Sequence, residues 1–236
     1  MTAFSADSIE STTVVGYSTQ STLIGFVMSG AAFTSIGSEG CSVQDIKPVG
    51  ENVADWCHYI SLMNADSSTG ETYVYLTADG APDGKTAGWY DSNDGETFIE
   101  HTFAPGKGFF FNSDVDGVRL QSSGLINLDT VKIPASIGFC AIANPRAMDL
   151  NVQDIVMTGA NVSDWCHYIS LMNADSSTGE TYVYLTADGA PDGKTAGWYD
   201  SNDGETFIKH TFAPGEGFFF NSDVNDVTVQ FKAITL

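Results

Sequence analysis

The 64 residues from 52 to 115 return 109 positions later as residues 161 to 224. Only Ala54/Ser163, Glu100/Lys209 and Lys107/Glu216 differ, so 61 of the 64 positions match. A long fixed period marks an architecture in which one unit is built more than once, and it constrains every other reading of the chain. The flanks agree more loosely: Val43-Gln44-Asp45-Ile46 answers to Val152-Gln153-Asp154-Ile155. At 236 residues there is room for two domains, each able to bury its own core. The expected division is a first β-repeat domain over 1–121, with a short N-terminal leader, and a second over 122–236. The join at 122–129 is too short for a floppy tether, which predicts a fixed relation between the copies.

Within each copy the apolar residues fall in short runs rich in aromatic and β-branched side chains, as strands do. The first copy reads as strands over 22–28, 56–62, 72–77, 88–90, 97–103, 108–111 and 118–121. Asp79-Gly80, Asp83-Gly84, Asp94-Gly95 and Pro105-Gly106 fence them, supplying the positive φ that tight reversals need. Helix is expected only as a turn or two at 42–46 and 151–155. This pattern predicts an all-β protein: two tandem antiparallel β-sandwich or barrel-like domains from an internal duplication.

Thirty acidic residues stand against nine basic ones, a formal charge of −21. Such a field repels phosphate backbones, so no nucleic-acid partner is expected, and anionic membranes are disfavoured in the same way. No apolar run reaches the roughly 20 residues that cross a bilayer, so membrane insertion is not expected. The first residues lack a basic segment and an apolar stretch, so no signal peptide is visible; a mature secreted protein with an added Met1 and a cytosolic protein both look like this.

Four cysteines permit one bridge per copy, Cys41–Cys57 and Cys140–Cys166, a secretory trait; buried thiols are the equal alternative. Cys57-His58 and Cys166-His167 place a nucleophile beside a base, but neighbours on a strand point to opposite faces, which argues against catalysis. The histidine pairs His58/His101 and His167/His210 lack the short-range spacing of a metal site and read as structural. No catalytic residue is nominated and no enzyme is expected. In Asp91-Ser92-Asn93-Asp94-Gly95-Glu96, and in its copy at 200–205, the first reading is an Asp/Asn-Gly turn. The second is calcium held by loop carboxylates, with Asp91, Asn93, Asp94, Asp200, Asn202 and Asp203 as ligands. No other cofactor is indicated.

Alternation along 72–77 puts Tyr73 and Tyr75 on one face and Val74 and Leu76 on the other. With the valine face inward, Tyr73, Tyr75, Trp89 and Tyr90, and their copies Tyr182, Tyr184, Trp198 and Tyr199, form an outward aromatic surface for sugars or a protein interface. With both faces covered they are core. The compensated exchange of Glu100 and Lys107 for Lys209 and Glu216 marks a further candidate interface. A hairpin turning at Pro105-Gly106 places residue 100 opposite about 111, too far for Glu100 to meet Lys107 within a copy at ~3.3 Å per residue. Pairing between copies or between molecules is the interface reading; drift at exposed sites is the other.

Gly16-Tyr17-Ser18-Thr19, Val43-Gln44-Asp45-Ile46, Gly88-Trp89-Tyr90 and Ala104-Pro105-Gly106-Lys107-Gly108-Phe109-Phe110-Phe111, followed by Val118-Arg119-Leu120-Gln121, together resemble repeats of secreted bacterial proteins. Those repeats carry G-Y-x-T near a mature N-terminus, a G-W-Y hairpin and P-G-x-G-F-F before a closing strand. The resemblance spans most of both copies and implies an extracellular all-β surface or fibre component. It implies no activity and no site residues. The expected function is therefore an extracellular structural or cell-surface protein whose repeated domain self-assembles into filaments or layers. The alternative is a bivalent module that binds carbohydrate or a cell surface. The expected partners are accordingly other copies of itself or surface glycans.

Overall fold

The computed structural model describes residues 10–16, 25–30, 33–34, 40–64, 68–173 and 177–234. In the first copy the strands are β1 (Glu10–Gly16), β2 (Gly25–Gly30), β3 (Phe33–Thr34), β4 (Cys41–Ser42), β5 (Ile46–Gly50), β6 (His58–Met63), β7 (Thr69–Leu76), β8 (Gly88–Asp91), β9 (Thr102–Phe103), β10 (Gly108–Ser113) and β11 (Val118–Ile126). The second copy gives β12 (Val131–Ala135), β13 (Gly138–Ala143), β14 (Leu150–Asn151), β15 (Ile155–Gly159), β16 (His167–Met172), β17 (Thr178–Leu185), β18 (Gly197–Asp200), β19 (Thr211–Phe212), β20 (Gly217–Ser222) and β21 (Val227–Phe231). The protein is all-β, built of several antiparallel sheets, and among the described residues none closes into a barrel. The sequence 17–24, which holds most of the G-Y-x-T motif, lies outside the described residues.

Each copy has a five-stranded sheet in the same order: β2-β10-β6-β7-β8 in the first and β13-β20-β16-β17-β18 in the second. A smaller sheet faces it. In the first copy β11 pairs with β1, β3 and β5, and in the second β21 lies between β12 and β15. The core fills the space between: Ile60, Tyr73, Trp89, Phe109 and Phe111 of the large sheet pack with Ile46, Val118 and Leu120 of the small one. This is sandwich-like packing, in which inward residues of two sheets interdigitate. Strand β11 runs through residues 121 and 122, where the division between domains is expected.

Local sequence sets several details. Ser42 accepts a hydrogen bond from the Gln44 N–H and so caps a single 3-10 turn at Val43–Asp45; Asn151 caps Val152–Asp154 in the same way. The turn aims Gln44 at β8, an edge strand. Its side-chain amide accepts from the Trp89 N–H at 3.0 Å and donates to the Trp89 carbonyl at 2.9 Å and the Ile99 carbonyl at 2.7 Å. One glutamine thus ties the 3-10 turn to β8 and to the segment that pairs with it, where the Ile99 N–H donates to the Trp89 carbonyl at 3.0 Å and Tyr90 bridges Phe98. Gln153 repeats the arrangement on Trp198 and Ile208.

The expected strand at 97–103 is reduced to β9, and the hairpin at Pro105-Gly106 does not form. β9 pairs with β4, whereas β10 pairs with β2 and β6, so residue 100 is not opposite residue 111. The turn itself is present, closed by the Lys107 N–H donating to the Ala104 carbonyl at 3.0 Å, but it passes the chain from one sheet to another.

That turn reaches the other copy. The Ala143 N–H donates to the Gly106 carbonyl at 3.0 Å, and the Gly30 N–H donates to the Gly215 carbonyl at 2.9 Å. Gly106 and Gly215 are repeat equivalents, and Gly30 and Ala143 hold the same place beside Gly108 and Gly217. The contact is therefore reciprocal. Its self-equivalent residues meet: Phe110 and Phe219 have ring centroids 5.8 Å apart. Reciprocal contact between like patches is the geometry of a two-fold junction. Among the described residues no helix is long and apolar enough to cross a membrane.

Candidate functional site

The tyrosine–tryptophan surface expected to face outward is buried. Tyr73 and Tyr75 are 2% and 8% exposed and belong to the main core, and Trp89 and Tyr90 are fully buried. Tyr182, Tyr184, Trp198 and Tyr199 repeat this. Of the two readings of this stripe, the one with both faces covered holds: the tyrosine face points between the sheets. The opposite face is covered too, because Val74, Leu76 and Tyr90 pack with Tyr59, Ala81 and Phe98. Polar tips are satisfied, with Trp89 Nε1 donating to the Ile46 carbonyl at 2.6 Å and the Tyr90 hydroxyl to the Thr86 carbonyl at 2.6 Å. These eight residues present no ring to a ligand.

No disulfide joins the four cysteines, all of which are among the described residues. The expected pairs are kept apart by the sheets. Cys41 lies on β4 opposite Phe103, whereas Cys57 precedes β6, its carbonyl accepting from the Asp114 N–H. Cys140 lies on β13 opposite Phe220, and Cys166 precedes β16. Burial pushes the Cys140 thiol up to about 11, against the opposing pull of Lys107.

His58 is a structural group. Its Nε2 accepts from the Ala54 N–H at 3.3 Å, which leaves Nδ1–H to donate to Ser113 Oγ at 3.1 Å. Ser113 in turn donates to the Val115 carbonyl at 2.7 Å. Burial holds the imidazole below its ordinary pKa, with Asp114 pulling the other way. His167, Ser163 and Ser222 repeat the set. His101 lies against Phe103 at 4.6 Å between ring centroids and near Tyr73, whose hydroxyl donates to Glu71 at 2.7 Å.

A cleft of about 260 Å³ lies where the copies meet, lined by Asn64, His101 and Lys107 of the first and Ile137, Phe139 and Cys140 of the second. A cleft in the second copy carries Asn173, Glu180, His210 and Glu216. The exchanged positions 107 and 216 thus lie at the junction. Lys107 bridges by backbone to Ile142, and Glu216 to Ser29, while the Glu216 carboxylate accepts from the Ala213 N–H at 2.8 Å. Glu100 and Lys209 are exposed elsewhere on equivalent surfaces.

The Asp91–Glu96 loop is a self-contained turn. Asp91 accepts from the Asn93 N–H at 2.8 Å; Asp94 accepts from the N–H groups of Glu96 and Thr97 and from the Thr97 hydroxyl. These bonds hold the Asp94 carboxyl below the usual carboxylate range. Asp200, Asn202 and Asp203 make the same bonds in the second copy. Among the described residues no three His, Cys, Asp or Glu side chains gather as metal ligands.

Beneath this loop's outer surface lies a feature that sequence reading missed. Trp56 and Trp165 are 47% and 46% exposed, and both sit at φ 59. A bulky residue in the left-handed region is a true outlier. The six-membered ring of Trp56 lies on buried Gly95, where an added Cβ would stand 2.5 Å from Cζ2. The run 56–62 had read as one strand, but β6 begins at His58.

No family model, curated protein or solved structure matches the chain.

Proposed function

We propose that the protein is a non-enzymatic, extracellular surface protein in which a duplicated sandwich domain presents one recognition face twice, with cell-surface glycans as the partner. The observation that carries this reading is the reciprocal junction, Gly30 to Gly215 and Ala143 to Gly106. Reciprocal contact closes on itself and does not propagate. That patch is engaged within one chain. What stays repeated on the outside is the face around Trp56 and Trp165. Two equal sites on one rigid body gain avidity against a repeating surface without any new contact. The extracellular placement rests on the resemblance to secreted bacterial repeats.

Light scattering and electron microscopy on the purified chain, with calcium and then with chelator, test the reading. A monodisperse particle of 25.2 kDa under both conditions is expected. Filaments, sheets or large calcium-dependent particles overturn it in favour of self-assembly.

A further inference from the structure

We infer that Trp56 and Trp165 are two equal stacking platforms for a neutral, equatorially linked pyranose chain, an inference that rests on the reading of two repeated recognition faces. Three features make each indole a built surface rather than a stray exposed ring. The backbone is held in a conformation that bulky side chains avoid, and it is held so in both copies. Outliers kept against their own cost, and set by surrounding structure, are concentrated at functional positions. The clamps are visible on either side. The Tyr59 hydroxyl donates to the Trp56 carbonyl at 2.6 Å, and Asp55 accepts from the Thr77 N–H at 2.6 Å. Tyr168 and Asp164 hold Trp165 by the same bonds at 2.7 Å each.

The third feature is the floor. Gly95 and Gly204, both at φ 65 and both buried, lie against the rings, where an added Cβ would come within 2.5 Å of Cζ2. Each indole thus rests against a buried glycine at Cζ2 and Cη2 and stays about half exposed. A platform ordered before binding loses little freedom when a ligand arrives.

The surroundings select the ligand. The loop that carries Gly95 also exposes Asn93, Asp94 and Glu96, and the turn at Asp79-Gly80 packs on Asp55. An apolar ring edged by amides and carboxylates matches a pyranose, whose axial C–H groups meet the negative face of the indole while its equatorial hydroxyls reach polar groups around it. Nucleobases also stack on aromatic platforms, but their phosphates meet a chain of net charge −21. The same field disfavours sulfated or uronic-acid glycans. A protein partner fits less well, since the centres of protein interfaces are depleted of charged residues.

The test titrates cellohexaose and chitohexaose into the full chain and reads indole fluorescence, with retention on insoluble cellulose and chitin as the second measurement. Trp89 and Trp198 are fully buried, so the response comes from Trp56 and Trp165. At least one sugar is expected to change the emission. Trp56→Gly or Trp165→Gly should remove about half of that change and lower retention on the polymer at least tenfold; the double variant should remove both. Glycine suits the left-handed φ, so these variants should keep the turn, with thermal unfolding as the check; Trp56→Phe, which restores a ring but no indole, should recover part of the retention on the polymer. Silence with both sugars, unaltered binding by the folded double variant, or preference for polygalacturonate over the neutral chains overturns the inference. A monodisperse chain that ignores both sugars removes this ligand class and leaves the two-faced reading standing, whereas filaments remove that reading itself.

Discussion

The buried guanidinium of Arg146 donates from Nη1 to the carbonyl of Asn127 at 2.7 Å, tying the segment between the copies to the interior of the second. Its Nη2 donates to the carbonyls of Lys232 at 2.6 Å and Phe231 at 3.3 Å, so one side chain gathers the join and the end of β21. Asn144 braces it, accepting from the Arg146 N–H while donating to the Met148, Phe212 and Ala213 carbonyls. Arg146→Met leaves three carbonyls without this donor and should destabilise the fold by about 3 kcal/mol. Arg146→Lys should recover little, because one ammonium does not reproduce a planar fork. Urea unfolding of both variants checks this; a loss within experimental error of zero would show that the join is held by something else.

Gln44 offers a second test, this time of a side chain that joins two segments. Its amide serves both peptide groups of Trp89 and the carbonyl of Ile99. Gln44→Ala should cost about 2 kcal/mol, and Gln44→Glu should cost a comparable amount because it loses both N–H donors while keeping the shape. Gln153→Ala should match Gln44→Ala in sign and size. Unequal losses would mean that the two copies, though alike in sequence here, carry different loads.

The sheet architecture was legible because its signals are local. Short β-branched and aromatic runs between Gly turns gave β6, β7, β8 and β10 within a few residues, and Ser42 and Asn151 marked the 3-10 turns. The face of β7 was not legible. Period-two alternation tells which residues share a face, not which face is wet, and β7 is covered on both sides, by Ile46, Val118 and Leu120 of the small sheet on one and by Ala81 and Phe98 on the other. The partners of Cys41 and Cys140 depend on sheet order, which spacing does not encode. Gly30 carries no sequence signal of its own, and only the packed structure shows that it faces Ala143 across the junction. Trp56 was hidden by its own composition, since an aromatic beside a strand reads as strand.

Acid should weaken the fold through its histidines before its carboxylates titrate. Burial lowers the pKa of His58, His101 and His167 in the folded chain, most directly for His58 and His167, which are fully enclosed. A histidine with a depressed folded pKa takes up its proton more readily when unfolded. Stability is therefore full above about pH 6.5 and falls as the pH drops below it, by at most about 1.4 kcal/mol per pH unit for each histidine. Unfolding free energies measured at pH 7.5 and 5.5 should show the decline, and His58→Gln should flatten it. A stability that rises on acidification in this window contradicts the buried neutral tautomer assigned to His58.

The junction itself can be opened by one methyl group. At Gly108 an added Cβ would stand 2.9 Å from the Ala141 carbonyl carbon, 2.9 Å from the Ile142 nitrogen and 3.0 Å from the Ile142 carbonyl carbon. All three atoms are backbone of the facing copy, so no side chain can turn aside to make room. Gly108→Ala must displace β13 from β10 or distort one of them, at about 1–3 kcal/mol. Because the strain falls between the copies rather than inside either core, the expected signature is loss of cooperativity. The parent chain should unfold in one transition and Gly108→Ala in two, and the join around Asn127 should become sensitive to protease. If Gly108→Ala instead lowers a single transition without splitting it, the copies are coupled through more than this contact, with the Arg146–Asn127 tie as the next place to cut.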